Sequence, residues 1–191
     1  NSTEQHCPAS ITKIMTTLLA LENGNLSDIV TFSDDAINNT EGSGIARDYG
    51  EEMTLEQCLY GVMLESANEC AYAVAEHVGG TVEHFVDMMN EKLAELGLSD
   101  TAHFTNCVGL YDENHYCSIY DMAMILKAAV ENDLAREVLT AHTYTTSATE
   151  QHPEGITISN WFLRRIEDKD TKGTVVCAKT GFVAQSGNCA A

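Results

Sequence analysis

Pro8-Ala9-Ser10-Ile11-Thr12-Lys13-Ile14-Met15-Thr16 is the stretch from which the rest of the chain is read. Apolar residues run on from it at helical spacing: Ile11, Ile14, Met15, Leu18 and Leu19, with Leu21 adding to the apolar surface. This predicts a helix over 10–22, with Pro8 fixing its entry and Gly24 as its C-cap. A helix this apolar is a central, buried one. Ser10 and Lys13 lie three residues apart on it, so their side chains share a face. Burial disfavours the charged form of a lysine. A neutral lysine can take the proton of a neighbouring serine hydroxyl, and the helix N-terminus favours the developing anion. Taken alone, the pair reads more simply as an N-cap serine followed by an exposed lysine.

The totals narrow the field. A chain of 191 residues with 44% hydrophobic residues and two prolines is globular and long enough for one domain with a real core. It carries 29 acidic against 10 basic residues, a net charge of -19, which argues against nucleic acid and anionic membrane surfaces as partners. No apolar run is long enough to span a membrane, and no signal peptide is visible. The abrupt start at Asn1-Ser2-Thr3 fits a trimmed or processed protein. The seven cysteines contain no C-x-x-C pair, and most stand in apolar runs. They read as small buried hydrophobes, with one or two disulfides as the other reading. His6, His77, His84, His103, His142 and His152 form no H-E-x-x-H pattern, so neither a metal site nor any other cofactor is expected.

Along the chain, 29–33 has strand composition and 38–50 is polar and Gly-containing, a loop. Thr54-Leu55-Glu56-Gln57 has the capping-box pattern and opens a helix to 64. A polar break at 65–69 precedes a helix over 70–78, ended by Gly79-Gly80. Thr81 caps the next, which Gly97 stops. Residues 99–116 are irregular; Ser118-Ile119-Tyr120-Asp121 starts a helix that continues over 122–130, and a shorter one covers 134–139. After 140 the character changes, with strands expected at 144–146, 155–159 and, most clearly, 174–179 behind a charged turn at 167–173. The chain is therefore α+β: about 10–140 mostly helical, about 141–191 strand-rich, in one domain over 1–191.

Three motifs stand in order: Ser10-x-x-Lys13, Ser66-x-Asn68 and Lys179-Thr180-Gly181. Each is weak alone; together, in this order, they are rarely met by chance. The chemistry they could share is acyl transfer, which needs a nucleophile, a base, a proton path to the leaving group and donors for an oxyanion. Ser10 would attack and Lys13 would take its proton. Ser66 would relay that proton to the leaving amine, and Asn68 would hold Lys13 or a substrate amide. Lys179 and Thr180, on a strand, would bind a carboxylate, and Gly181 would let the substrate backbone approach. Lys179 would also lower the pKa of Lys13, and Lys13 that of Lys179. The net charge of -19 works the other way on Lys13.

The triple motif resembles that of the penicillin-recognising serine enzymes. The flanks narrow it to the D-alanyl-D-alanine carboxypeptidase group of low-molecular-weight penicillin-binding proteins, peptidase family S11. They include Leu59-Tyr60-Gly61, Glu65-Ser66-Ala67-Asn68-Glu69-Cys70-Ala71, Ala75-Glu76-His77-Val78, Tyr120-Asp121-Met122-Ala123 and Lys179-Thr180-Gly181-Phe182. The resemblance implies a β-lactamase/transpeptidase-like fold, a helical lobe plus an antiparallel sheet flanked by helices. It implies removal of the terminal D-alanine from peptidoglycan stem pentapeptides through an acyl-enzyme on Ser10, without a metal, and acylation of the same serine by β-lactams. It implies an oxyanion hole from the N–H groups of Ser10 and Phe182, and an extracytoplasmic location. It also implies two strands ahead of the first motif and two after the third. Neither flank is in the sequence, so these strands are expected to be missing, with the domain truncated at both ends and membrane association confined to segments absent here. Asn106-Cys107-Val108-Gly109-Leu110 stands where the family has Asn-Pro-His-Gly-Leu, so no role is assigned to it. A class A-like β-lactamase would need a glutamate in an E-x-x-L-N pattern, which is absent. A non-catalytic peptidoglycan-binding relative is the other alternative, against which the intact motif side chains argue.

Overall fold

The computed structural model describes residues 2–38 and 40–191; Asn1, and Asn39 within the expected loop, lie outside the described residues. In chain order, β1 (Gln5–His6) leads to a 3-10 turn (Ala9–Thr12), α1 (Lys13–Asn23), β2 (Ile29–Thr31) and α2 (Asp34–Asn38). Then come β3 (Glu52–Thr54), α3 (Leu55–Leu64), α4 (Asn68–Gly79) and α5 (Val82–Glu95). β4 (Cys117–Ser118), α6 (Ile119–Glu131) and α7 (Asp133–Thr140) complete the helical part. β5 (Thr143–Thr145), β6 (Thr157–Ser159), α8 (Trp161–Ile166), β7 (Thr180–Val183) and β8 (Gly187–Ala190) follow.

α1 is the axis of the helical lobe. Ile14, Met15, Leu18, Leu19, Ala20 and Leu21 are all buried, and α3, α4, α5, α6 and α7 pack around it. Its apolar residues have no solvent side, so its polar groups depend on partners inside: Thr16 Oγ1 donates to the Cys107 carbonyl at 2.7 Å, whereas Thr17 Oγ1 has no partner among the described residues. Gly24 is the C-cap, as expected, in an extended conformation with its N–H donating to the Ala20 carbonyl at 2.8 Å. Space requires glycine there, since a Cβ would come within 2.5 Å of Leu55 Cδ2.

Local capping chemistry sets the other helix starts. Thr54 Oγ1 accepts from the Gln57 N–H, which is half of the expected capping box. The Gln57 side chain turns away to bond Ser147 instead. Ser118 and Asp121 make the full reciprocal box: Ser118 Oγ accepts from the Asp121 N–H at 3.1 Å, and Asp121 Oδ2 from the Ser118 N–H at 2.7 Å. α2 and α8 are absent from the sequence expectation because both are too short for a helical period to show. Ser33 and Asn160 start them by accepting N–H bonds from Ala36 and Leu163.

The strands are all antiparallel and, among the described residues, form four two-stranded ladders: β1–β4, β2–β3, β5–β6 and β7–β8. The expected strand at 174–179 is shifted. The ladder with β8 is assigned from Thr180 onward, although Lys179 and Ala191 still exchange both backbone hydrogen bonds at 2.9 Å. Ala191 is the last residue, and 174–178 has no ladder partner among the described residues. All seven cysteines are free thiols, with Cys58, Cys70, Cys107 and Cys117 buried.

Replacing Ser118 by Ala removes one bond of the capping box and is expected to lower stability by about 1 kcal/mol. Thermal unfolding reads this directly; an unchanged midpoint would show that the cap does not hold α6.

Candidate active site

Ser10 sits in the 3-10 turn and Lys13 is the first residue of α1, so the tightening of the chain ahead of the helix brings the two side chains together. Lys13 Nζ lies 3.0 Å from Ser10 Oγ and donates to the Val108 carbonyl at 2.7 Å. The lysine is wholly buried, and its pKa is held well below the ordinary value, first by desolvation and then by the charge of Lys179. Glu69 and Cys107 pull the other way but do not outweigh burial. A neutral amine has two N–H groups and one lone pair. With one hydrogen on Val108 O, the lone pair is free to face the serine hydroxyl. The N-cap positions are Pro8 for the 3-10 turn and Thr12 for α1, and Lys13 is buried, so the simpler reading of an N-cap serine beside an exposed lysine does not hold.

The turn carrying Ser10 is strained and clamped. Ala9 is fully buried with φ +50, a region that L-residues with a Cβ avoid. Two glycines hold it. A Cβ on Gly109, which has φ +88, would come within 1.9 Å of the Ala9 carbonyl oxygen. A Cβ on Gly181 would come within 2.8 Å of Ser10 N. Gly181 is thus required by contact with the serine's own backbone, a closer demand than the substrate approach expected of it.

Ser66 occupies the polar break between α3 and α4 and also has a left-handed backbone, φ +60. Its Oγ accepts from Lys179 Nζ at 2.9 Å, and the same ammonium donates to the Thr180 carbonyl at 2.6 Å. Burial pushes the Lys179 pKa down to about 7. Desolvation alone accounts for this, so the mutual lowering expected of the two lysines acts on Lys13 and not on Lys179.

Asn68 is the first residue of α4 and differs from expectation. Its Nδ2 donates to the Glu41 carbonyl, and its N–H to the Ser43 carbonyl at 2.8 Å. It does not hold Lys13; its Oδ1 is buried with no hydrogen-bond partner among the described residues. The neighbouring Glu69 accepts from the Ile45 N–H at 2.5 Å, so the start of α4 anchors the 41–45 loop as one wall.

Ser10, Ser66, Asn68, Lys179, Thr180, Gly181 and Phe182 all line one cleft of about 910 Å³, with Lys13 beneath its floor. The backbone of β7 faces it in a defined way. Antiparallel ladders alternate hydrogen-bonded and non-hydrogen-bonded pairs. Lys179–Ala191 is a hydrogen-bonded pair, so Phe182, opposite Asn188, directs its N–H away from β8. The Ser10 N–H belongs to the first turn of its helix, where no intrahelical acceptor exists. Two residues went unassigned in the sequence. The Val108 carbonyl holds Lys13, and buried Asn160 donates to the Ala178 carbonyl at 2.9 Å, fixing the approach to Lys179. A backbone carbonyl leaves no residue-type signal; Asn160, ahead of Trp161-Phe162-Leu163, could have been found as a cap.

The family model described as D-alanyl-D-alanine carboxypeptidase matches residues 1–191. The chain is 46% identical over 132 residues to the D-alanyl-D-alanine carboxypeptidase DacF of Bacillus subtilis, covering 66% of this chain and 33% of that protein. It is 35% identical over 144 residues to DacA of Haemophilus influenzae, covering 72% of this chain and 36% of that one. The chain thus spans about a third of the length of these curated relatives. Among solved structures it is similar to a D-alanyl-D-alanine carboxypeptidase of Mycobacterium tuberculosis, with TM-score 0.87 and 24% identity over 98% of this chain and 68% of that one. It is also similar to the Streptomyces K15 DD-transpeptidase, with TM-score 0.84 and 27% identity over 98% and 75%. The mixed helix-and-sheet fold is that of the penicillin-binding protein and transpeptidase group. The chain belongs to the D-alanyl-D-alanine carboxypeptidase family, peptidase family S11.

Proposed function

We propose that the protein is a serine-type D-Ala-D-Ala carboxypeptidase that removes the terminal D-alanine from peptidoglycan stem pentapeptides through an acyl-enzyme on Ser10. The observation that carries this reading is the buried Lys13 amine, 3.0 Å from Ser10 Oγ at the base of an open cleft. Ser10 Oγ attacks the penultimate D-alanine carbonyl while its proton passes to neutral Lys13. The oxyanion forms against the Ser10 and Phe182 N–H groups. Ser66 relays the proton held by Lys13 to the departing D-alanine nitrogen, which returns Lys13 to its neutral form, and water then attacks the acyl-enzyme with Lys13 as base again. Lys179 and Thr180 take the terminal carboxylate, and the buried Asn68 Oδ1 accepts a substrate N–H. β-Lactams, which pair a strained amide with a carboxylate, acylate the same serine. Such a substrate places the working site on the extracytoplasmic side.

A fluorescent penicillin should give a persistent adduct that Ser10→Ala abolishes, alongside D-alanine release from a pentapeptide that is lost in the same variant. Rapid turnover of the drug would point to a β-lactamase, and no adduct on a folded protein to a non-catalytic relative.

The second-order acylation constant should be bell-shaped in pH. Protonation of Lys13 removes the base and sets the acid limb. Lys179 loses its charge as pH rises through about 7 in the free site, so carboxylate capture weakens above that pH. A bound carboxylate raises the Lys179 pKa, so the alkaline limb should shift upward in the saturated step; an identical limb in both constants would exclude Lys179 as its source.

The charge of -19 repels an anionic β-lactam at long range. Acylation should therefore accelerate with moderate salt, and a steep fall with salt would contradict it.

A further inference from the structure

The Lys13 amine is held by a loop, and one side chain within that loop organises the loop's backbone. Asn106 Oδ1 accepts three consecutive backbone N–H groups, from Val108 at 3.3 Å, Gly109 at 2.7 Å and Leu110 at 3.2 Å. Its Nδ2 donates to the Leu110 carbonyl at 3.0 Å and so closes the turn. An amide oxygen receiving three donors fixes the orientation of the peptide units between them. The Val108 carbonyl thereby points at Lys13 Nζ, 2.7 Å away. The same turn presses Gly109 against the Ala9 carbonyl. Its other end is pinned by His115, which is buried and kept neutral, with its pKa pushed down to about 4 by desolvation. His115 Nδ1 accepts from the Thr105 N–H at 3.0 Å, so the ring proton is on Nε2 and is donated to Thr12 Oγ1 at 2.8 Å.

We propose that Asn106 is a positioning residue for the base: its side-chain oxygen organises the 106–110 turn so that the Val108 carbonyl orients the Lys13 amine toward Ser10. This rests on the reading of Lys13 as the base. It explains why a valine can stand at 108 where the family pattern has histidine: the contact with Lys13 uses the backbone carbonyl, which every residue type supplies. The other titratable groups acting on Lys13 are Lys179 beside β7, Glu69 of α4 and Cys107 of the same turn, with His115 one layer beneath Thr12.

The test compares Asn106→Ala and Asn106→Asp in the intact protein. Acylation by a fluorescent penicillin is followed against pH, and the Lys13 titration by NMR of 13Cε-labelled lysine. Rates are normalised to the folded fraction. Asn106→Ala removes the acceptor, frees the Val108 carbonyl from its orientation and should slow acylation by roughly tenfold to a hundredfold. Lys13 then loses an acceptor that favours its charged form, so its titration and the acid limb move to lower pH. Asn106→Asp keeps the acceptor oxygen and brings a negative charge near Lys13. It should move the titration and the acid limb to higher pH and restore most of the rate above them. Opposite shifts support the inference. Variants that lose activity only in proportion to the folded fraction, with the Lys13 titration unmoved, overturn it and leave Asn106 a structural residue. Failure of the unaltered protein to form any adduct would overturn the reading of the site. The NMR titration would still decide whether Asn106 acts on Lys13.

Discussion

The structure turns on a buried amine that has no ion-pair partner among the described residues. Lys13 is wholly enclosed at the start of α1, and the partners of its Nζ are the Val108 carbonyl and the Ser10 hydroxyl, neither of them charged. A charged ammonium would be costly there, so the site favours the neutral form. That preference is a property of the surrounding core: five helices around α1 remove the water that would otherwise solvate the charge. On the proposed reading, the helical lobe is in this sense part of the proton-transfer chemistry. Loosening it along α1 would readmit water, raise the Lys13 pKa and leave less of the lysine in the neutral form that can accept a proton.

Two separate chain segments converge on the 3-10 turn, and each meets it through a glycine. Gly109 of the 106–110 turn abuts Ala9, and Gly181 of β7 abuts Ser10, with the Phe182 N–H of the same strand turned away from β8. Lys179 is fixed from its own side by Ser66, by the Thr180 carbonyl and by Asn160 holding the preceding residue. The two lysines thus share a low-dielectric neighbourhood while bonding to different serines. This division suits one to accept a proton and the other to hold an anion.

The sequence disclosed the helical lobe and the reacting side chains because both leave strong local marks. A 3.6-residue apolar period announced α1, and capping residues announced α3, α5 and α6. The motif side chains then proved to line, or lie just beneath, one cleft. What stayed hidden were features set by tertiary contact. Gly181 serves the Ser10 backbone, which depends on a segment some 170 residues away (181 - 10). Asn68 is engaged by the Glu41 carbonyl, and the Lys13–Val108 contact is made by an atom common to every residue. The strand at 174–179 was placed early because Val175, Val176 and Cys177 have strand composition. Pairing, and not composition, decides where a ladder begins.

Ala9, one residue ahead of Ser10, and Ser66, whose hydroxyl is bonded to Lys179, both carry backbone angles that residues with a Cβ rarely adopt. Each such conformation costs on the order of 1–3 kcal/mol, a sizeable share of the roughly 5–15 kcal/mol that separates a folded domain from its unfolded ensemble. The cleft is therefore a net drain on stability, offset by the aliphatic packing around α1. Substitutions that thin that packing and substitutions in the cleft draw on the same small margin. Variants altered at the site would be tolerated only on a background whose core is intact, which couples the evolution of specificity in this chain to residues that never touch a ligand.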